Sequence, residues 1–280
     1  IFIDNNFNLL ITEESNFRIL KIASTGGSRN IMDFAGNAVE SFTHNFDDIK
    51  PTHTTTEIVS GSGSGSWTEN TTSPGAAKNW RYSTSSSDGT KLAAIVNGDG
   101  NIWTSSDSGA TWTEDTSVGA IKNWQGITSS ADGTKLAATI RDGNIWTSSD
   151  SGANWTENTS TGAGKYWWAI TSSADGTKLA TTVFGGNIWT SSDSGATWTE
   201  NTSFGAVQNW RGINMSSDGT KLAAVVNNGN IWISTDSGAT WTEDTSVGST
   251  KQWNRITSSD DFTKLAATLG SSNYGRIWTS

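Results

Sequence analysis

Carboxylates are the commonest groups in this chain that could drive chemistry, and their spacing argues against it. Glycoside hydrolysis uses two non-equivalent Asp or Glu residues flanking a groove. Here the acids recur instead. Asp88, Asp132, Asp175, Asp218 and Asp261 hold one repeated position, and Glu69, Glu114, Glu157, Glu200 and Glu243 hold another. A reacting site is asymmetric, so a residue present in every copy reads as structural. The two histidines, His44 and His53, read as loop residues rather than zinc ligands. EF-hand spacing is missing, and there is no cysteine to supply a thiolate site. The expectation is a chain with no catalytic residue, no metal and no cofactor.

The residues that change between copies are more informative. One slot holds Arg81, Gln125, Trp168, Arg211 and Asn254 in turn, and each is polar or aromatic. These five are the expected ligand-binding residues. The loops before them vary as well, as in Pro74-Gly75-Ala76-Ala77 and Phe204-Gly205-Ala206-Val207. Trp168 breaks the pattern most and is the best single residue for stacking on a sugar or anchoring a partner.

The elements that must position these residues come from an internal repeat. Three sets of tryptophans keep time along the chain: Trp67, Trp112, Trp155, Trp198, Trp241; Trp80, Trp124, Trp167, Trp210, Trp253; and Trp103, Trp146, Trp189, Trp232, Trp278. Spacings are 43 to 46 residues, and 15 of the 16 Trp fall in these sets. With so little Leu and Ile, the repeated indoles are expected to form most of the core. Each copy reads as four short strands. In the second copy these are residues 124–129, 135–140, 144–148 and 155–158, with Leu136, Ala138 and Ile140 on one face by period-2 alternation. Asp132-Gly133 suits a tight turn between the first two. Four strands per 40-odd residues is the blade of a β-propeller.

The turn before each fourth strand has the form S-x-D-x-G-x-T-W. It stands as Ser105 to Trp112 and recurs around Asp150, Asp193 and Asp236. This resembles the Asp-box of bacterial neuraminidase repeats over residues 67–280. The resemblance implies a propeller like those of sialidases, sortilins or photosystem assembly factors, which share blades and no single activity. It also implies that Asp107, Asp150, Asp193 and Asp236 are structural turns on the periphery. A sialidase further needs an Arg triad and a Tyr nucleophile with an acidic partner. The chain has Tyr82, Tyr166 and Tyr274, with Arg81, Arg141, Arg211, Arg255 and Arg276 in the repeats, and nothing marks the acidic partner.

The last copy stops after its third strand, near Trp278, while residues 66–70 read as an orphan fourth strand. The two are expected to complete one blade and seal the sheet edges. That gives an all-β, five-bladed propeller of four-stranded blades, with the N-terminal strand closing the last. The alternative is six blades, with residues 56–59 as a further strand. Residues 1–60 read as a separate segment, an NHL-like blade or docking arm; 61–66 is a Gly/Ser linker; 67–280 is the propeller. The chain begins Ile1-Phe2-Ile3-Asp4, which reads as a processed or excised piece.

A net charge of −9 disfavours phosphate backbones and anionic membranes as partners, and no apolar run is long enough to span a bilayer. Sequons occur at Asn70, Asn154, Asn158, Asn201 and Asn214, three of them at one repeated position. They point to secretion or surface display. The functional expectation is a non-catalytic extracellular scaffold or protein-interaction module. Its partners would be proteins of an extracellular assembly or glycans. The alternative is a multivalent lectin with one weak sugar site per blade.

Overall fold

The computed structural model describes residues 2–3, 9–13, 16–25, 28–32, 69–70, 77–98, 100–119, 121–162, 164–270 and 276–280, the first four segments by their backbone. The chain divides into two compact parts, Ile1–Ser66 and Trp67–Ser280. Every regular element among the described residues is a β-strand.

In the first part, β1 (Phe2–Ile3), β2 (Leu9–Glu13), β3 (Asn16–Thr25) and β4 (Ser28–Met32) form one sheet in that order, each antiparallel to the next. Residues 56–59 and the Gly/Ser run 61–66 lie outside the described residues, as do His44, His53, Trp67 and Tyr274.

The second part holds the repeats. The first contains β5 (Trp80–Ser85), β6 (Leu92–Val96), β7 (Ile102–Ser105) and β8 (Thr113–Asp115). The second contains β9 (Trp124–Ser129), β10 (Leu136–Gly143), β11 (Ile145–Ser148) and β12 (Thr156–Asn158). The third contains β13 (Lys165–Ser172), β14 (Leu179–Gly186), β15 (Ile188–Ser191) and β16 (Thr199–Asn201). The fourth contains β17 (Gln208–Met215), β18 (Leu222–Gly229), β19 (Ile231–Ser234) and β20 (Thr242–Asp244). The fifth contains β21 (Lys251–Ser258), β22 (Leu265–Leu269) and β23 (Ile277–Thr279). Each is an antiparallel meander, and β22–β23 ends without a fourth strand among the described residues. Ile277 on that edge is 65% exposed.

Alternation alone would leave one strand face wet. Instead Leu136 through Ile140 are all buried, and so are Leu179–Val183 and Leu222–Val226. In these three repeats the second strand is covered on both faces, which is why small and aliphatic side chains run through it, whereas β22 of the fifth repeat is mostly half-buried. Trp124, Trp167, Trp210 and Trp253 have no exposed surface. Each meets the third-strand Trp of its own repeat edge-on, as in Trp124–Trp146 at 6.4 Å and Trp167–Trp189 at 6.0 Å. Trp80 meets Trp103 in the same way at 6.2 Å but is 41% exposed.

Two carboxylate turns fix each of the first four repeats, and the fifth has one among the described residues, at Asp261. Asp107 accepts the Thr111 N–H at 2.8 Å, the Thr111 hydroxyl at 2.6 Å and the Ser105 hydroxyl at 2.8 Å. The Thr111 hydroxyl, its N–H and then the Ser105 hydroxyl hold the Asp107 pKa down to about 2. Both Ser108 (φ 58°) and Gly109 (φ 88°) lie in the left-handed region, so the turn bends at two residues rather than at Gly alone. In the other turn, Asp88 accepts the Ser86 hydroxyl and the Thr90 N–H.

The repeats are also joined. One backbone bond passes from each first turn to the next: Ser87 N–H to Ala131 O, Ala131 to Ala174, Ala174 to Ser217 and Ser217 to Asp260, at 2.7–2.8 Å. Second strands run past their own sheet and pair with the next repeat's first strand, Arg141 opposite Tyr166 and Phe184 opposite Asn209. The fourth strand contributes an amide: Asn158 Nδ2 donates to Gly195 O at 2.9 Å, and Asn201 Nδ2 to Gly238 O at 2.9 Å.

Candidate functional site

The variable slot has a structural identity. In every repeat the pairing of first and second strands slips by one residue just after the first-strand Trp. The extra residue is Arg81, Gln125, Trp168, Arg211 or Asn254. A β-bulge leaves one residue unpaired and re-aims its side chain, so the five positions are free to differ while the strands stay the same.

Four of the five come together. Arg211 Cζ lies 4.0 Å from the Trp168 ring centre and Arg81 Cζ lies 5.8 Å from it. Arg81 Nε also donates to Gln125 O at 3.3 Å. Asn254 is half-buried and packs over Gly270, where an added Cβ would stand 2.9 Å from the Asn254 Cβ. Its neighbour Arg255 takes the place facing the others, with Cζ 4.8 Å from the Tyr82 ring. Beside this group lies a cavity of about 110 Å³ lined by a residue from every first strand: Tyr82, Gly126, Trp168, Gly212 and Arg255 among them.

The first strands can approach because their second residues after Trp are small. A Cβ on Gly212 would stand 3.1 Å from Arg255 Cα and Ile256 N, and one on Gly126 would stand 3.2 Å from Ile170. Large residues occupy this column only at its ends, Tyr82 and Arg255. No Cα of β5 lies within 8 Å of one in β21, and the Tyr82–Arg255 contact fills that wider gap.

Sequence reasoning missed half of the cluster. Tyr166, Trp168 and Phe184 meet at 5.4–5.6 Å. Arg141 Cζ lies 4.2 Å from the Tyr166 ring, and Arg211 Cζ 4.8 Å from Phe184. The signal lay in two further columns. The residue before the first-strand Trp runs Asn79, Asn123, Tyr166, Asn209, Gln252, and the residue after the second strand's last aliphatic runs Asn97, Arg141, Phe184, Asn227, Gly270. The third repeat is the aromatic exception in all three columns.

Burial pushes the pKa of Arg81, Arg211 and Arg255 down, and the Arg81 charge adds to this at Arg255. Guanidinium keeps its proton regardless. Among the described residues the one ion pair is Arg141–Asp142 at 3.5 Å. No group of three or more His, Asp or Glu suited to a metal occurs among them either. In all five sequons the amide nitrogen is engaged. Asn70 donates to Gly109 O, Asn154 to Asp150, Asn158 to Gly195 O, Asn201 to Gly238 O and Asn214 to Ser258.

The repeated antiparallel meanders, with one cavity lined from all five first strands, are those of a propeller-type all-β fold, and solved structures of that fold superpose on the chain. They include the GH74 xyloglucanase of Xanthomonas campestris, with TM-score 0.54 and 14% identity over 72% of this chain and 36% of that one. A GH74 enzyme of Niastella koreensis gives 0.53 and 17% over 72% and 30%. YCF48 bound to D1 peptide gives 0.54 and 16% over 72% and 63%. The chain thus spans 30% to 63% of these structures, and the likeness is one of fold. No protein-family model matches the chain, and no curated protein matches it by sequence.

Proposed function

We propose that the chain is a non-catalytic interaction module: a five-bladed propeller of the Asp-box kind that presents one docking mouth at its axis. The observation that carries this reading is asymmetry. The third repeat supplies Tyr166, Trp168 and Phe184, and each of the other four supplies one arginine, Arg81, Arg141, Arg211 or Arg255. Near-identical frames with one divergent spot suit a single ligand, whereas a lectin with a sugar site in each blade would repeat its binding residues. A peptide-bound propeller among the structural neighbours supports a protein ligand. Among the described residues the one acid paired with a cluster arginine is Asp142, on Arg141, so the two carboxylates that hydrolysis needs are not brought together there, which favours binding over turnover.

Closure by the N-terminal strand is part of the proposal. Asn70 bonds Gly109 O as Asn158 bonds Gly195 O, so it holds the position of a fourth-strand Asn preceding the first repeat. The free edge of β23 is the place for that strand. Hydrogen exchange tests it: β23 amides should be protected in the full chain and lose protection in Asn70→Ala.

The extracellular setting rests on the sequons. A glycan at Asn158 or Asn201 and the bond to the next repeat draw on the same nitrogen. Intact mass of the secreted chain decides: sugar on these residues in the folded protein supports the setting, and bare residues remove its basis. For the docking mouth, glycan and peptide arrays are the test. Saturable 1:1 peptide binding abolished by Trp168→Ala is the expected result; five weak equivalent sugar sites, or hydrolysis of a sialoside or glucan, would sink it.

A further inference from the structure

Independently of what the mouth binds, we propose that the two ends of the repeats are complementary docking surfaces, on which copies of this chain stack head to tail.

Strand direction defines the ends. Each second strand is antiparallel to its own first strand and to the first strand of the next repeat, so all five first strands run the same way. The starts of the first strands and the turns between second and third strands therefore share one end, and the Asp turns share the other. The first end is cationic. Lys78, Lys122, Lys165 and Lys251 stand two residues before a first-strand Trp. Each ammonium lies 4.9–5.1 Å from the centre of a third-strand Trp ring. Arg141 and Arg276 stand at the turns of the same end. Leaving the axial arginines aside, the acids described at this end are Asp115, Asp142 and Asp244. Asp115 and Asp244 accept N–H groups of their own loops, from Ser117 and Ser246, and Asp142 is paired with Arg141.

The other end is anionic. Asp88, Asp132, Asp175, Asp218 and Asp261 stand in the turns after the first strands, with Asp260 beside the last. Asp107, Asp150, Asp193 and Asp236 stand in the turns before the fourth strands. All of these aspartates are exposed. Donors of the same turn hold the carboxylates in place, as Thr90 holds Asp88 and Thr111 holds Asp107. The lysines of this end lean sideways. Lys135 Nζ donates to Asp175 O at 2.9 Å, Lys178 Nζ to Asp218 O at 3.1 Å and Lys221 Nζ to Asp261 O at 3.5 Å. Their charge is directed at the next repeat of the same chain, and the carboxylates are left facing water.

Opposite charges at opposite ends make a heterologous pair of surfaces. The cationic end of one copy fits the anionic end of another, while like ends repel. Both ends also repeat at the same interval, because both belong to the same run of meanders. Lysines at several repeats can therefore meet aspartate turns of a second copy together. One exposed ion pair adds little, whereas several held in register add up. The cationic end has apolar contact area as well: Ile121 is 55% exposed and Val207 64%, in the loops before Trp124 and Trp210.

Analytical sedimentation of the full chain tests this. In about 10 mM salt, where charges act over about 30 Å, the weight-average mass should rise with concentration past twice that of one chain, since head-to-tail contact leaves an open end on every stack. In about 1 M salt, where that range is about 3 Å, single chains should sediment. Lys78→Gln, Lys122→Gln and Lys251→Gln together should abolish association; Gln208 holds this position in the fourth repeat. Asp132→Asn, Asp175→Asn and Asp218→Asn together should abolish it too. The two variants mixed should form a 1:1 complex and nothing larger, because each keeps the end the other has lost. Glu114→Gln, Glu157→Gln and Glu200→Gln together change the net charge by the same amount away from both ends, and should associate as the wild type does. Circular dichroism and Tm establish that each variant is folded; if the Asp variant is not, the salt series and the Lys variant decide. A wild type that stays single in low salt overturns the proposal. So does association that salt leaves unchanged, association of either end variant alone as strong as the wild type, or failure of the two folded variants to pair.

Discussion

Arg211 and Trp168 belong to adjacent repeats and hold the same bulge position, yet the guanidinium of one lies 4.0 Å from the ring centre of the other. Equivalent positions thus become contact partners, because the bulges of neighbouring repeats bring their side chains together. Cation–π pairs of this kind contribute about 0.5–2 kcal/mol, more as water is excluded.

The neighbouring indoles Trp167 and Trp168 should separate structure from recognition. Trp167 is fully buried, and its nitrogen donates to Gly143 O at 3.0 Å. Trp167→Ala should cost about 3–5 kcal/mol in urea unfolding. Trp168→Ala should cost about 1 kcal/mol, the scale of its ring contacts, and should remove ligand binding.

Acid should unfold the protein through its turns. Asp88, Asp107, Asp132, Asp175, Asp218, Asp236 and Asp261 are each held at about 2 by hydroxyl and N–H donors. Their folded pKa lies below the unfolded value of about 3.9. The stabilisation is therefore complete above about pH 4 and is lost as pH falls toward 2. Tm measured from pH 7 to 2 should stay level and then drop in that window, and the drop should shrink in Asp218→Asn. A decline centred near pH 6 would contradict this.

Gly212→Ala should be destabilising by about 1–3 kcal/mol, since the new methyl meets backbone atoms of β21 that cannot yield. The readout is the denaturation midpoint, with Ala169 in the same column of the third repeat as the internal comparison.

Asn201→Ala removes two bonds from one repeat to the next, to Gly238 O and Ala239 O. The expected cost is about 1–2 kcal/mol. Exchange of amides at the Asp236 turn should quicken, while those of the first repeat keep their rates.

Repetition made the frame legible from sequence. The tryptophan periods and Asp-Gly turns place β9 at Trp124–Ser129, as the structure has it. Alternation misled about Ala137 and Thr139, because a strand covered on both faces needs no polar side. For the site, the column of Arg81, Gln125, Trp168, Arg211 and Asn254 was visible as variation. Tyr166 and Phe184 were not, since they join the cluster only when one repeat's second strand pairs with the next repeat's first. Arg255 was displaced by one residue because Asn254 occupies the bulge. That offset is set by pairing register, which residue types alone do not reveal.

The turn-to-turn bonds from Ser87 through Asp260 form a row in which every joint is alike. Such a row has no intrinsic length: an in-frame gain or loss of 43 residues would leave each remaining joint satisfied. What does depend on copy number is the meeting of Tyr82 and Arg255, the two end members of their column. Duplication within the gene would therefore be tolerated along the row of turns and felt where those two end members meet.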